Sequence, residues 1–222
     1  MIKKIVFEFL GTFIFVFVSG LTEEMAKMKQ PNGGRPQGED FITVSFAAFF
    51  TYMSLFYIGR KISGCHLNPA VSFAMVFLKK TKLVEGIVFA ICQLVAGFFA
   101  ALLMMPFQAE LDDDLTPSSA ITIGYFQALI LEIQMSAIFI FIFINAEVSN
   151  NVKRHLKGFI IACGNMVVTA STLRFTGGGV NPAKSLPTNF VRGFFDSTHI
   201  FLFAPFIGSI FAVVIIIYYN IY

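Results

Sequence analysis

The amino-acid sequence predicts an all-α membrane protein in which six helices span the bilayer and two short helices begin inside it. The first reason is composition: 56% of the 222 residues are hydrophobic, 13% are charged, and the mean hydropathy is +0.76. A soluble domain could not hide that much apolar surface from water, so the main solvent must be lipid. The second reason is the tripeptide Asn-Pro-Ala, which occurs at residues 68–70 and 181–183, each time between long apolar segments.

Six apolar segments have about the length that a helix needs to cross the hydrocarbon core, which is roughly 17–25 residues. They cover residues 5–21, 41–58, 86–109, 115–146, 158–173 and 200–222. Lys3 and Lys4, in front of the first segment, are also compatible with a cleaved signal peptide. Because Glu8 interrupts that segment and a similar segment recurs in the middle of the chain, we interpret it as a retained span.

The distribution of charge predicts how the spans are oriented. Basic residues flank the spans on one side, at Lys3, Lys4, Arg60, Lys61, Lys79, Lys80, Lys82, Lys153, Arg154 and Lys157. The loop 107–120 carries only acids, which are Glu110, Asp112, Asp113 and Asp114, whereas the loop 22–40 is mixed. The positive-inside rule then places both chain termini in the cytoplasm, whether the membrane is the plasma membrane or an internal one. The net charge of +3 follows from this topology, and no nucleic-acid partner is expected because the bases do not share one soluble face.

Each Asn-Pro-Ala copy predicts the start of a helix, because Asn is a favoured N-cap and Pro suits the first turn. The helices that follow, over residues 69–78 and 182–192, are too short to cross the bilayer. A helix that starts inside a membrane must aim its free N–H groups at something polar. Irregular backbone at that depth survives only beside a cavity or within protein. The pattern therefore indicates a pore.

The chain contains an internal repeat. Residues 8–15 and 132–139 both begin with Glu, place a small hydroxyl residue four positions later and place Phe three positions beyond that. One Asn-Pro-Ala copy follows its Glu by 60 residues and the other by 49. A single domain over 1–222 thus divides into halves of about 1–110 and 111–222. Each half contains three spans. Because three is odd, the first half ends on the opposite side of the membrane from where it began, so the second half enters from that opposite side, as in inverted-repeat channels and transporters.

The loops around the two tripeptides resemble the signature loops of the aquaporin, or major intrinsic protein, family. They read Gly64-Cys65-His66-Leu67-Asn68-Pro69-Ala70-Val71 and Gly177-Gly178-Gly179-Val180-Asn181-Pro182-Ala183. The resemblance covers essentially the whole chain, including the paired glutamates and Pro205 in the last span. It implies a homotetramer in a lipid bilayer, with one passive pore per subunit for water and small uncharged solutes such as glycerol and urea. Protons and ions would be excluded, and a strictly water-selective channel is the alternative.

The resemblance also implies roles for the motif residues, which are Asn68, Pro69, Ala70, Asn181, Pro182 and Ala183. The two asparagine amides converge at the centre of the pore, and each donates a hydrogen bond to a passing water. Both short helices point the positive ends of their dipoles at this place, which raises the barrier for a proton or any cation. The alternative is that the asparagines are only helix caps.

Glu8 and Glu132 are implied to accept hydrogen bonds from backbone N–H groups of the two loops, with a proton relay as the alternative for acids inside spans. Backbone carbonyls beside the motifs are expected to line the pore. They belong to Gly64, Cys65, His66, Gly177, Gly178 and Gly179. A phosphate-binding glycine loop is a weaker interpretation, because no Lys-Ser pair follows in the required register.

Four positions counted from the motifs form the outer selectivity filter in the family. They correspond to Ala48, Thr169, Gly178 and Lys184. The family's usual residue at the last position is Arg, and Lys keeps the positive charge but lacks the planar fork of Arg. Because the other three residues are small, we expect a wide filter unless the Lys184 side chain lies across it. By the same resemblance, Phe15 is expected to line the pore.

Other classes of function find less support. An ion-coupled transporter built from broken helices needs an acid beside a motif to bind the coupling cation, and neither motif has one. A membrane enzyme needs a converging set of catalytic groups, which the sequence does not suggest. Cys65, Cys92 and Cys163 are scattered, as are the histidines, and predict neither a metal site nor a disulfide framework. We therefore expect no cofactor, no metal and no enzymatic activity.

Overall fold

The computed structural model describes residues 1–28, 39–107 and 122–219. Within these residues the chain forms eight α-helices and no strand. The helices are α1 (Ile2–Met28), α2 (Glu39–Gly59), α3 (Pro69–Phe77), α4 (Leu83–Met104), α5 (Tyr125–Val148), α6 (Lys157–Thr176), α7 (Pro182–Arg192) and α8 (Thr198–Tyr218). All but α3 and α7 are long and apolar enough to cross a membrane. The predicted all-α membrane fold with two short helices is confirmed.

The order of long, long, short and long helices occurs twice, once in α1–α4 and again in α5–α8. Both short helices pack against α4 and α8, so each contacts long helices from both halves of the chain. α8 lies very close to α5, since a Cβ added at Gly208 would be 2.6 Å from the carbonyl oxygen of Ile133. Small residues at such crossings are the usual means by which membrane helices pack tightly.

The bundle is apolar on its outer surface and partly polar inside. On α1, Val6, Leu10 and Ile14 recur at a spacing of four and face outward. Glu8 and Thr12 on the same helix are fully buried. This arrangement suits a lipid solvent, which accepts apolar side chains and leaves polar ones to be satisfied inside the protein.

The first span is longer than the charge pattern predicted. α1 continues to Met28 through residues 22–28, which the mixed charge had assigned to a loop. The helix continues because Glu23 and Glu24 in this extra segment are buried and form ion pairs with α7. The acidic loop with Glu110, Asp112, Asp113 and Asp114 lies outside the described residues.

Candidate functional site

Asn68 and Asn181 cap the two short helices. The side-chain oxygen of Asn68 accepts a hydrogen bond from the backbone N–H of Ala70 at 2.8 Å, and that of Asn181 accepts one from Ala183 at 3.0 Å. Both caps have extended backbone and are followed by Pro at the start of the helix. Since each asparagine uses its oxygen for the cap, its amide N–H₂ group is free to point elsewhere.

The two amides reach across to the opposite loop. Asn68 Nδ2 donates to the carbonyl of Val180 at 3.3 Å, and Asn181 Nδ2 donates to that of Leu67 at 2.8 Å. The N-terminal ends of α3 and α7 therefore face each other inside the bundle. An amide nitrogen carries two hydrogens. Among the described residues each amide makes one such bond, so its second hydrogen remains for a molecule beside it.

One cavity brings the asparagines and the filter positions together. Its volume is about 390 Å³, open mouth included, and its wall contains Asn68 and Asn181. The same wall contains Ala48, Thr169, Gly178 and Lys184. The prolines and alanines of the two motifs, Pro69, Ala70, Pro182 and Ala183, are buried in the first turns of the short helices.

Three of the filter positions surround one point of this cavity. A Cβ added at Gly178 would lie 3.2 Å from Lys184 Nζ and 3.9 Å from Thr169 Cγ2. A side chain at position 178 would therefore project into the space that the other two residues border. Gly178 has a φ of 72°, in the left-handed region that glycine adopts without strain.

Several further residues of the wall were not singled out from the sequence. Phe15 lines the cavity as the resemblance implied, and so do residues that the sequence analysis did not assign to the pore. The latter are Ser19, Tyr52, Phe139, Asn165, Val168 and Val180. Three of these residues could have been predicted from their spacing to expected pore residues. Ser19 follows Phe15 by four positions, Tyr52 follows Ala48 by four, and Asn165 precedes Thr169 by four. Residues four apart share one face of a helix.

Glu8 accepts four hydrogen bonds, three from the first loop and one from α4. Its Oε1 accepts from Ser63 Oγ at 2.6 Å and from the backbone N–H of His66 at 2.9 Å. Its Oε2 accepts from the N–H of Leu67 and from Gln93 Nε2, both at 2.8 Å. The side chain is fully buried. Four donors converging on one carboxylate compensate its loss of water.

Glu132 makes fewer contacts with the second loop. Its Oε2 accepts from the N–H of Val180 at 2.6 Å, and its Oε1 accepts from the hydroxyl of Thr176. Like Glu8, it is fully buried. The two acids thus occupy equivalent places in the two halves, but the first holds its loop through more bonds.

The loop carbonyls expected along the pore contact protein groups in several cases. The carbonyl of His66 accepts from Tyr52 Oη at 2.9 Å, and that of Gly179 accepts from Ser185 Oγ at 3.1 Å. Each carbonyl oxygen has a second lone pair for another donor. Gly178 and Gly179 border the cavity. The wall of the cavity does not include the other four residues whose carbonyls were expected there, Gly64, Cys65, His66 and Gly177.

Lys184 is held by an acid that sequence reasoning did not identify. Lys184 Nζ lies 2.5 Å from Glu23 Oε1, and the two side chains are 11% and 4% exposed. The same nitrogen also donates to the carbonyls of Gly177 and Gly178, at 3.4 and 3.3 Å. Glu23 was missed because its position was interpreted as part of a loop.

No group of three or more His, Cys, Asp or Glu side chains that could hold a metal ion occurs in the part of the chain that the structure describes. The polar groups of the cavity are instead hydrogen-bond donors and acceptors.

Comparisons with known proteins show the family and the fold. The family model described as Major intrinsic protein matches residues 1–218. A probable aquaporin of the TIP type from Medicago truncatula is 32% identical over 207 residues, which are 91% of this chain and 80% of that protein. Glycerol uptake facilitator protein-like 6 from Lactiplantibacillus plantarum is 26% identical over 215 residues, covering 95% of this chain and 94% of that protein. The X-ray structure of the aquaglyceroporin from Plasmodium falciparum superposes with a TM-score of 0.77 at 19% identity, covering 99% of this chain and 95% of that one.

The chain therefore belongs to the major intrinsic protein family. It is an integral membrane protein with several spans and a channel of that family, not an enzyme.

Proposed function

We propose that the protein is a passive channel that conducts water and small uncharged solutes such as glycerol and urea and excludes protons and ions. The observation that carries this proposal is the single cavity that joins the two asparagine amides to the four filter residues. In this proposal Asn68 and Asn181 form the centre of the pore. Ala48, Thr169, Gly178 and Lys184 form its outer filter.

The orientation of the amides gives a mechanism for proton exclusion. A water molecule beside Asn68 and Asn181 accepts the second hydrogen of each amide, so its own hydrogens point away from the centre. Waters on the two sides then have opposite orientations, and a proton cannot be handed through the centre along one continuous chain. The dipoles of α3 and α7 direct their positive ends at the same place and add a barrier for cations. A neutral molecule meets neither obstacle.

The solute range follows from the filter. Ala48 and Gly178 contribute almost no side-chain bulk, and Thr169 contributes little, which favours passage of solutes larger than water. The relatives include both aquaporins and a glycerol uptake facilitator-like protein. Strict water selectivity is the second candidate. One observation favours it: the Lys184 ammonium group occupies part of the space that the filter residues border, since a Cβ added at Gly178 would lie 3.2 Å from its nitrogen.

We further propose that Glu8 and Glu132 pin the two loops, that both chain termini lie in the cytoplasm, and that the halves 1–110 and 111–222 form one channel domain. Four chains would assemble with a pore in each. Support for the orientation is the positive-inside rule. Support for assembly is the family, together with outward apolar residues that suit lipid or a neighbouring subunit.

Stopped-flow light scattering on proteoliposomes tests the proposal. We expect osmotic water flow well above that of empty vesicles, with a low activation energy, together with measurable glycerol and urea entry and no ion current. Water flow without solute entry would support the strictly water-selective candidate. Water flow no faster than in empty vesicles would contradict the channel function itself.

A further inference from the structure

We propose that Glu23 is a specificity-determining residue of the outer filter, which cancels the charge of Lys184 and holds its ammonium group against one wall of the cavity. This inference rests on the proposed channel function. It concerns a residue on the last part of α1, far in sequence from both motifs, that forms an ion pair with the filter residue Lys184.

The contacts of Lys184 account for all its donors. A lysine ammonium group has three hydrogens. Lys184 Nζ has three acceptors within reach: Glu23 Oε1 at 2.5 Å and the carbonyls of Gly177 and Gly178 at 3.4 and 3.3 Å. These acceptors direct the ammonium group at the protein rather than at a passing solute, with Glu23 as the nearest partner. The filter therefore offers a solute the small surfaces of its other members rather than a charged donor.

Because the Glu23–Lys184 ion pair is buried, it affects how the filter acts on ions. Glu23 and Lys184 are 4% and 11% exposed at the side chain, so water screens their interaction little. A buried pair of opposite charges has no net charge, and a cation that enters the filter meets a dipole instead of an unpaired positive charge. Cation exclusion then depends mainly on the centre of the pore, where α3 and α7 begin.

The chain provides a matched control in the neighbouring residue. Glu24 pairs with Arg192 at 2.6 Å, and these side chains are 5% and 6% exposed. This second pair also joins α1 to α7, but neither of its residues belongs to the wall of the cavity. If Glu23 served only to fasten α1 to α7, removing either acid would have the same consequence.

Charge cancellation is tested by the leak of K⁺ from proteoliposomes, normalised to protein per vesicle and measured from pH 8 to pH 10, because a buried acid without its partner is ionised only when the pH is high enough. Lys184→Met removes the positive charge and leaves a buried carboxylate beside the cavity, which attracts cations. The double variant Glu23→Gln with Lys184→Met removes both charges. We expect the K⁺ leak of Lys184→Met to exceed that of the parent at least tenfold, and that of the double variant to return to within about twofold of the parent.

The positioning role is tested by the ratio of urea to water permeability. Glu23→Ala deprives the ammonium group of its charged acceptor. The group then turns into the cavity to recover hydrogen bonds, where it narrows the path for urea more than for water. We expect the ratio to fall at least threefold. Glu24→Ala, the matched control, should lower thermal stability and leave the ratio as in the parent.

The results separate the inference from the function on which it rests. If the parent conducts water and urea but Lys184→Met leaks no more K⁺ than the double variant, the charge argument is overturned. If Glu24→Ala changes the urea-to-water ratio as much as Glu23→Ala, the role of Glu23 is only to fasten two helices. If the parent itself conducts no water, the channel function fails, whatever the variants do.

Discussion

Replacing Glu8 with Gln tests whether this buried acid pins the first loop. The carboxylate accepts two hydrogen bonds on each oxygen. Glutamine keeps one accepting oxygen and substitutes an N–H₂ group for the other. Whichever way the new amide turns, two donors of the parent structure face another donor.

The expected loss follows from what those donors can do. With the new N–H₂ group in the place of Oε2, Gln93 can turn its own amide and present an oxygen. The backbone N–H of Leu67 cannot turn and stays buried without an acceptor. A buried donor without an acceptor costs about 1–3 kcal/mol. The remaining hydrogen bonds are made to a neutral amide oxygen instead of a charged carboxylate, which costs a further amount of about 1–2 kcal/mol. The free energy of unfolding should thus fall by about 2–5 kcal/mol.

Thermal unfolding in detergent measures this effect. For soluble chains of about this size, each kcal/mol shifts Tm by about 2–4 °C, so Glu8→Gln should lower Tm by roughly 4–20 °C. Glu85→Gln is the control, because Glu85 forms one ion pair, at 2.7 Å, with Lys4, whose side chain is 43% exposed. Because the Lys4 end of this pair is exposed to solvent and only one interaction is lost, the control should lower Tm less than Glu8→Gln.

An unchanged Tm in Glu8→Gln would contradict the pinning role of Glu8. If Glu8→Gln has the same Tm as the parent, the three hydrogen bonds from the loop to Glu8 do not hold the loop. If it also alters proton flux through proteoliposomes, the proton-relay interpretation replaces pinning. Water permeability of the same vesicles shows whether loop displacement reaches the pore, since the backbone N–H groups that Glu8 binds directly precede Asn68.

Further predictions concern the second acid, the filter and the topology. Glu132→Gln should lower Tm less than Glu8→Gln, because its threonine partner can rotate its hydroxyl to accept from an amide. Gly178→Cys should make water flow sensitive to an impermeant mercurial added outside. The left-handed backbone at this position should cost the variant about 1–2 kcal/mol of strain. Water flow that stays insensitive would place Gly178 outside the pore. Lys184→Arg should lower the urea-to-water permeability ratio, since a rigid guanidinium presents additional donors; an unchanged or higher ratio would contradict this. Tags at either chain end should be reachable only from the cytoplasm and a tag in 111–118 only from outside, and an accessible C-terminal tag on the outer side would overturn the topology.

The class of fold could be predicted because lipid imposes local rules on the sequence. A span must be a long apolar helix. A helix that begins at membrane depth needs a capping residue, because its first N–H groups have no partner within the helix. Asn68 and Asn181 met that expectation atom for atom, since both the cap bond and the following proline depend on residues at most two positions away. The end of α1 differed from the prediction, because residues 22–28 are mixed in charge but rich in strong helix formers, and Glu23 and Glu24 form ion pairs with α7.

The membrane class, the two capped short helices and the family could be predicted from the amino-acid sequence, but only part of the residues that line the cavity could. The pairing of charges at the cavity could be seen only in the folded structure. Lys184 and Glu23 are 161 positions apart, and their ion pair depends on how far α1 extends and on how its last turns lie against α7. Likewise, the number of donors that converge on Glu8 depends on α1, α4 and the loop before α3 meeting at one carboxylate. No local pattern encodes such contacts, because they arise from the packing of helices that are distant in the chain.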